Sequence, residues 1–112
     1  MSKEPEDRSE LNGVVSAAGL VEFQTGSVIS RTIVKKTAGT VTAFAFDSGE
    51  GLSEHTAPFD ALVMNLEGEA EISIAGVPHK LVTGDLLKLP AGVPHAVKAV
   101  TPFKMLLIMI KA

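Results

Sequence analysis

The chain has 112 residues, of which 46% are hydrophobic and 21% are charged, and its formal net charge is −3. This length and composition predict one globular domain with a sizeable core and argue against overall disorder. The sequence has no basic run, no Trp or Tyr and no cysteine, which argues against a nucleic-acid partner and excludes disulfides, thiolate metal sites and a cysteine nucleophile.

The sequence shows neither a signal peptide nor a membrane-spanning helix. The N-terminus begins with charged residues, and the longest late apolar run, Met105 to Ile110, is far shorter than the roughly 20 residues that cross a bilayer. We therefore expect a soluble, cytoplasmic protein without a membrane partner. Residues 1–12, MSKEPEDRSELN, carry four acids, two bases and one large aliphatic residue. They predict a flexible acidic tail, followed by a single domain over residues 13–112.

From Gly13 onward, short apolar and β-branched runs alternate with Gly, Pro or Asp, as is typical of an all-β protein. Residues 69–74 (EAEISI) alternate strictly between apolar and polar, which is the period of a half-buried strand, and Ala75-Gly76 then predicts a hairpin turn. About eight such strands, with no convincing long amphipathic helix, predict a β-sandwich or β-barrel. The runs cover residues 27–36, 40–47, 61–68, 69–76, 79–84, 85–90, 95–100 and 103–111.

The stretch GDLLKLPAGVPHAVKA places turn residues at fixed intervals before a histidine. Gly84-Asp85 predicts a tight turn into a strand over residues 86–89, and Pro90 ends the hydrogen-bonded ladder of that strand. Gly92 allows a positive φ, and the following proline stiffens the entry into the next strand. His95 is therefore expected at the start of a strand, with its side chain on one fixed face.

This pattern resembles the second motif of the cupin superfamily, Gly-(x)5-Pro-x-Gly-(x)2-His-(x)3-Asn, except that Ala99 replaces the final Asn. Residues 49–68 resemble the first cupin motif, Gly-(x)5-His-x-His-(x)3-Glu-(x)6-Gly. His55 is in place there, whereas Ala57 stands at the second histidine and Ala61 at the glutamate. Two motifs in order, with a hairpin between them, imply an all-β fold of cupin type, an antiparallel β-barrel (jelly roll).

The resemblance implies a metal held by three histidines and a glutamate, but only His55 and His95 match. A metal usually needs at least three protein ligands, so we expect weak binding of a divalent ion, with partial or no occupancy, and no certain cofactor. Asp60 lies one residue before the glutamate position, so it becomes a third ligand only if a bulge turns it inward. Glu54 faces away from His55 by the same alternation. His79 is expected to be partly buried with a hydrogen-bond partner.

The replacements by alanine also predict a small-molecule pocket. Alternation places residues of two strands on one interior face, and the loss of His, Glu and Asn removes polar bulk from it. The alternative is that Phe44, Phe46 or Met64 fills this space. The predicted lining residues are His55, Ala57, Ala61, Val63, Asn65, His95, Val97 and Ala99.

Three functions stay open, because a fold does not fix a function. The first is a metal-free domain that binds a small ligand. The second is a metal-dependent or metal-free enzyme of isomerase, epimerase or oxygenase type that uses His55 and His95, with Asp60 or Glu54 as a further acid–base candidate. The third is a protein whose role is mainly interaction. The sequence has neither a glycine-rich phosphate loop nor a nucleophile elbow.

Residues 103–111, FKMLLIMIK, are apolar on both faces, so both faces of this strand must be covered. We expect a two-fold homodimer in which a second subunit covers the outer face, with residues 27–34 pairing across the same contact. The alternative is a monomer whose N-terminal segment folds back over that face through Leu11, Val14, Val15 and Leu20.

Overall fold

The computed structural model describes residue 11 and residues 13–111, so the predicted tail over residues 1–12 lies almost wholly outside the described residues. The prediction of an all-β fold is confirmed. A short 3-10 helix, Ala17–Leu20, precedes nine strands: β1 Val28–Lys36, β2 Gly39–Phe46, β3 Gly51–His55, β4 Asp60–Glu67, β5 Ala70–Ile74, β6 Val77–Leu81, β7 Leu86–Leu89, β8 His95–Ala99 and β9 Phe103–Ile110. In this part of the chain no helix is long and apolar enough to cross a membrane.

The nine strands form two antiparallel sheets. The five-stranded sheet has the order β1-β2-β9-β4-β7, and the four-stranded sheet has the order β3-β8-β5-β6. Among the described residues, each sheet ends in two edge strands, so the hydrogen-bonded ladders do not close into a ring. The structure is therefore a jelly roll of two sheets rather than a closed barrel. The inner faces of the two sheets share one hydrophobic core.

None of the eight runs predicted from the sequence covers β3. Its sequence, GLSEH, contains a single aliphatic residue, Leu52, and four of its five residues are exposed. In the part of the chain that the structure describes, β3 is an edge strand that pairs with β8 alone. An edge strand of this kind buries little apolar surface, and the alternation that marks other strands is therefore absent from it.

Positive-φ residues make the turns where the sequence predicts them. Ala75 and Gly76 have φ values of 52° and 80° and close the β5–β6 hairpin, as an I′ turn requires. Gly92, with φ of 75°, lies in the connection that delivers His95 to the start of β8. Gly68 has both a positive φ of 86° and a close neighbour, because a Cβ at this position would collide with the carbonyl oxygen of Pro102.

The main core lies between the two sheets. Three phenylalanines form its centre: the Phe46 ring lies 5.8 Å from the ring of Phe44 and 5.5 Å from that of Phe103. The alternation predicted for residues 69–74 is confirmed, since Ala70 and Ile72 are fully buried here. The buried members of this core are Phe46, Ala61, Val63, Ala70, Ile72, Leu81, Leu89, Val97, Ala99, Phe103 and Met105.

A second apolar cluster lies on the outer face of the five-stranded sheet, mainly over β1 and β2. Val21 packs there against Ile33, Ala43 and Ala45, with Leu20, Phe23 and Leu106 around them. Two cations fasten this N-terminal segment: Lys104 Nζ donates to the carbonyl oxygen of Ala18 at 2.7 Å, and Arg31 donates to that of Leu20 at 3.0 Å. The chain therefore covers the β1–β2 side of the outer face by itself.

Candidate functional site

His55 and His95 lie side by side at one end of the sandwich. His55 is the last residue of β3 and His95 is the first residue of β8, and the two are partners in the antiparallel ladder. Their ring centroids are 4.4 Å apart and the ring planes make an angle of 69°. The structure thus brings together the two histidines that the sequence motifs identified.

The Pro90–Pro94 connection holds the histidine pair in place. The Gly92 amide donates to the carbonyl oxygen of Ala57 at 2.8 Å, and the Ala75 amide donates to the carbonyl oxygen of Pro94 at 2.8 Å. These bonds join the segment before His95 to the segment after His55 and to the β5–β6 hairpin. The fixed entry of His95 into β8 is a consequence of the Pro and Gly spacing in the sequence.

Each imidazole ring is oriented by a backbone carbonyl two residues earlier in the chain. His55 Nδ1 lies 2.8 Å from the carbonyl oxygen of Ser53, and His95 Nδ1 lies 3.2 Å from that of Val93. A carbonyl oxygen only accepts hydrogen bonds, so Nδ1 of each ring is the protonated nitrogen in these contacts. In the neutral rings, Nε2 then carries the free lone pair. The predictions from the sequence include no such contact, and the sequence signals it only through the shared i to i−2 spacing.

The two histidines differ in their surroundings. His95 is only 7% exposed, whereas the His55 side chain is exposed to solvent. Burial has the largest effect on the pKa of His95 and lowers it; the hydrogen bond to Val93 opposes this, and the neighbouring His55 adds a further lowering. His95 is therefore a neutral imidazole at pH 7.

The three other candidate acids and ligands do not join this pair. Asp60 Oδ1 accepts a hydrogen bond from the Ala91 amide at 2.9 Å, and Oδ2 lies 3.8 Å from Lys88 Nζ, so the carboxylate holds the turn after β7. Glu54 is exposed, and it lies where the register between β3 and β8 shifts, between Leu52 and His55. The prediction that His79 is partly buried is wrong. His79 is exposed, because it lies on the edge strand β6, in which Leu81 is the one buried residue.

The remaining residues predicted to line a pocket lie deeper in the molecule. Ala61, Val63, Val97 and Ala99 are all buried in the main core, beside Phe46. Asn65, near the end of β4, is 1% exposed and donates through Nδ2 to the carbonyl oxygen of Gly68 at 2.9 Å. Its Oδ1 is buried without a hydrogen-bond partner among the described residues. Met64 belongs to the outer face of β4, because the residues on either side of it point into the core.

Two antiparallel sheets packed face to face form a jelly roll, and cupin domains are one class of protein with this fold. The sequence profile of the cupin domain matches residues 43–110. The chain belongs to the cupin family.

Solved structures agree with this assignment. A conserved protein of unknown function from Streptococcus pyogenes is 35% identical, with a TM-score of 0.85 over 90% of this chain and 89% of that one. A cupin superfamily protein from Desulfitobacterium hafniense is 31% identical, with a TM-score of 0.86 over 90% and 93%. A cupin 2 conserved barrel domain protein from Leptotrichia buccalis is 42% identical, with a TM-score of 0.81 over 84% of this chain and 46% of that one. The search of curated proteins found no match.

The side chains present do not fit the metal centre that the complete cupin motifs imply. Ala57 and Ala61 occupy two of its ligand positions and offer no donor atom. Among residues 11 and 13–111, no group of three or more His, Cys, Asp or Glu side chains is arranged to hold a metal ion. Two imidazoles remain, which is fewer than the three protein ligands that catalytic metals usually have.

Proposed function

We propose that this protein binds a small molecule at the His55–His95 pair, without a resident metal. The observation that carries the proposal is the pair of adjacent imidazole rings whose Nδ1 atoms both donate to backbone carbonyls. Rings held in this way keep their orientation before any ligand arrives, which lowers the entropy cost of binding. In each ring, Nε2 takes no part in these contacts.

The chemistry of the pair favours a ligand that carries hydrogen-bond donors, such as neighbouring hydroxyl groups or an amine. His95 is neutral at pH 7 because burial lowers its pKa, so its Nε2 is an acceptor rather than a donor. Alanine at position 57 is smaller than the histidine of the complete motif. The space that a third imidazole would fill beside the pair is therefore assigned to the ligand. We place the ligand at this end of the sandwich because Ala61, Val63, Val97 and Ala99 are already packed in the core.

A thermal-shift screen of small molecules, run with and without divalent metal, tests the proposal. A ligand at 100 times its Kd stabilises the native state by about 2.7 kcal/mol, which corresponds to a Tm increase of roughly 10 °C for a domain of this size. We expect ligands with vicinal hydroxyl or amino groups to be enriched among the hits. The shift should persist in the presence of a chelator.

Two variants locate the binding site of any hit. His55→Leu and His95→Gln should each remove most of the ligand-induced shift. The matched control is His79→Leu, because His79 is exposed on an edge strand and lies outside the pair. A shift that survives both site variants, or that the control also removes, contradicts the proposal.

A metal-free isomerase or epimerase is a second candidate, favoured by the unequal surroundings of the two histidines. A buried neutral imidazole is suited to accept a proton, and an exposed imidazole that exchanges protons with water is suited to return one. The test is to incubate each hit with the protein in deuterated water and to follow carbon-bound deuterium by NMR. Incorporation that depends on His95 supports an enzyme, whereas binding without incorporation supports a ligand-binding domain.

A further inference from the structure

The inner face of the five-stranded sheet becomes less buried toward the end of the sandwich that carries the histidine pair. Phe103, Met105 and Leu107 of β9 pack in the main core, so the alternation of the strand places Met109 and Lys111 on the same inner face. Phe103 and Met105 are buried, whereas Met109 and Lys111 are partly exposed. A lysine therefore lies on the inner face beyond the last core residue of this strand.

Lys111 lies beside the connection between His55 and β4. Its backbone amide donates to the carbonyl oxygen of Ala38 at 2.7 Å, which extends the ladder between β2 and β9. Its Nζ lies 5.6 Å from the ring centroid of Phe59. Because Phe59 follows so soon after His55 in the chain, the Cα atoms of these two residues are at most about 14 Å apart. We name this end of the sandwich the mouth and define it by these residues: His55, Ala57, Phe59, His95 and Lys111.

Lys111 brings a positive charge to the mouth, and no described residue neutralises this charge. Among residues 11 and 13–111, Nζ has the Phe59 ring beside it, but no carboxylate within ion-pair distance and no hydrogen-bond acceptor. Asp60, the acid that follows Phe59, is bound to Lys88 and to the Ala91 amide instead. An aromatic ring attracts an ammonium group but leaves its three N–H donors available. Lys111 is therefore suited to bind an anionic group.

The neighbouring strand β2 adds hydroxyl groups to the same face. Phe44 and Phe46 pack in the main core, so alternation places Thr42 and Thr40 on the inner face as well. Both threonines are partly exposed, and Thr40 lies opposite Met109 in the ladder. The spacings within a sheet put the Cα atom of Thr40 about 8 Å from that of Lys111. Hydroxyl groups donate and accept hydrogen bonds, so this surface suits a polar ligand better than an apolar one.

We infer that the ligand of the mouth is a small hydroxylated monocarboxylate, whose carboxylate binds Lys111 and whose hydroxyl group donates to Nε2 of His95. This inference rests on the proposed function and names the class of ligand for the same site. A single ammonium group matches the single charge of a carboxylate, whereas a phosphate monoester carries a charge of about −1.5 to −2 at pH 7. His95 adds no positive charge, because burial lowers its pKa and keeps the ring neutral.

Calorimetric titration with matched pairs of small molecules tests this inference. Glycerate and glycerol, lactate and propane-1,2-diol, and gluconate and glucitol differ within each pair only in that the acid has a carboxylate where its neutral partner has an alcohol or, for lactate, a hydroxymethyl group. The titrations are run at about 0.15 M salt, where exposed charges farther apart than about 8 Å are largely screened. In at least one pair we expect the acid to bind about 10- to 100-fold more tightly than its partner, as is typical of a hydrogen bond to a charged group.

Variants of Lys111 assign this difference to one side chain. Lys111→Gln should raise the dissociation constant of the acid to that of its neutral partner and leave the neutral partner unchanged, which a merely structural role would not do. Lys111→Arg keeps the charge and should keep most of the difference. Lys35→Gln is the matched control: Lys35 lies opposite Thr40 and is exposed, but its Cα atom is about 12 Å from that of Lys111. A difference that persists in Lys111→Gln, or that Lys35→Gln also removes, overturns the inference.

Failure of this inference and failure of the proposed function give different results. If neutral partners bind as tightly as the acids and lose their affinity in His55→Leu and His95→Gln, the carboxylate is wrong and the binding site is kept. If the acids depend on Lys111 but on neither histidine, the proposed function fails and so does the contact to His95. If no acid binds at up to about 20 mM, the inference is overturned, and the wider thermal-shift screen decides the proposed function alone.

Discussion

Replacing Phe46 by alanine should remove a large share of the stability of the fold. Phe46 is fully buried and its ring lies between those of Phe44 and Phe103, at 5.8 and 5.5 Å. A buried Phe→Ala change costs about 3–5 kcal/mol from lost apolar transfer and the cavity that remains. The two ring contacts, at about 0.5–1.5 kcal/mol each, place this site toward the upper end of that range. A domain of this size has a total stability of only about 5–15 kcal/mol.

Urea denaturation followed by circular dichroism measures this loss. With an m-value of about 1.5 kcal/mol per molar, a loss of about 4 kcal/mol lowers the midpoint by roughly 3 M. Phe46→Leu, expected to cost roughly 1–2 kcal/mol, keeps the series measurable if the alanine variant is too unstable to fold. The cavity left by Phe46→Ala should also bind benzene, which would restore part of the lost stability.

The matched control for this series is Phe59→Ala. Phe59 is half-buried in the connection before β4, where Lys111 Nζ lies 5.6 Å from its ring centroid. Its loss should cost only about 1–2 kcal/mol, from partial burial and a cation–π contact. If Phe46→Ala costs no more than Phe59→Ala, the space between the sheets is not closed by the phenylalanine cluster and the reasoning fails.

Three further predictions concern the histidine pair and a turn. Burial lowers the pKa of His95 in the folded state, so the unfolding free energy should be constant above about pH 6.5 and should fall below it, where the unfolded chain takes up the proton first. His95→Gln should flatten this part of a plot of unfolding free energy against pH. If the plots for His95→Gln and His79→Gln are the same, the linkage is refuted. Metal analysis of protein purified without chelator should find partial or no divalent metal. Ala57→His should raise the metal occupancy, because it adds a third imidazole. Stoichiometric metal that survives dialysis of the wild-type protein against chelator would reveal a ligand outside the pair. Gly68→Ala should lower the unfolding free energy by more than about 1 kcal/mol, because position 68 has a positive φ and the added Cβ would collide with the Pro102 carbonyl. Gly76→Ala is the control, because its Cβ would meet no neighbouring atom. It should lower the unfolding free energy by less in the same urea titration.

The interior strands and the position of His95 could be predicted from the sequence because their signals are local. Strict alternation marks β5, and the spacing of Pro90, Gly92 and His95 sets both the end of β7 and the start of β8. The proximity of His55 to His95 is a non-local fact, which the sequence supplied only through the resemblance of two motifs. His95 begins β8, as the spacing predicts, and the structure pairs it with His55 at the end of β3.

The features that could not be predicted depend on tertiary neighbours. β3 lacks an apolar pattern because it is an edge strand, and His79 is exposed because β6 forms the other edge of the same sheet. The role of Lys104 was also invisible. A lysine within the run FKMLLIMIK gives no sign that it is 6% exposed and bound to Ala18, a partner 86 positions away.

The strand order of the five-stranded sheet has a consequence for how the protein is made. β9 lies between β2 and β4, so the last of the nine described strands to leave the ribosome is the one that joins the first two strands to the rest of the sheet. Until it emerges, the apolar edges of β2 and β4 have no partner, and the nascent chain offers them to chaperones or to other nascent chains. The five-stranded sheet is therefore expected to be completed only after synthesis has passed Ile110. A premature stop that removes β9 should yield an insoluble product rather than a smaller folded domain.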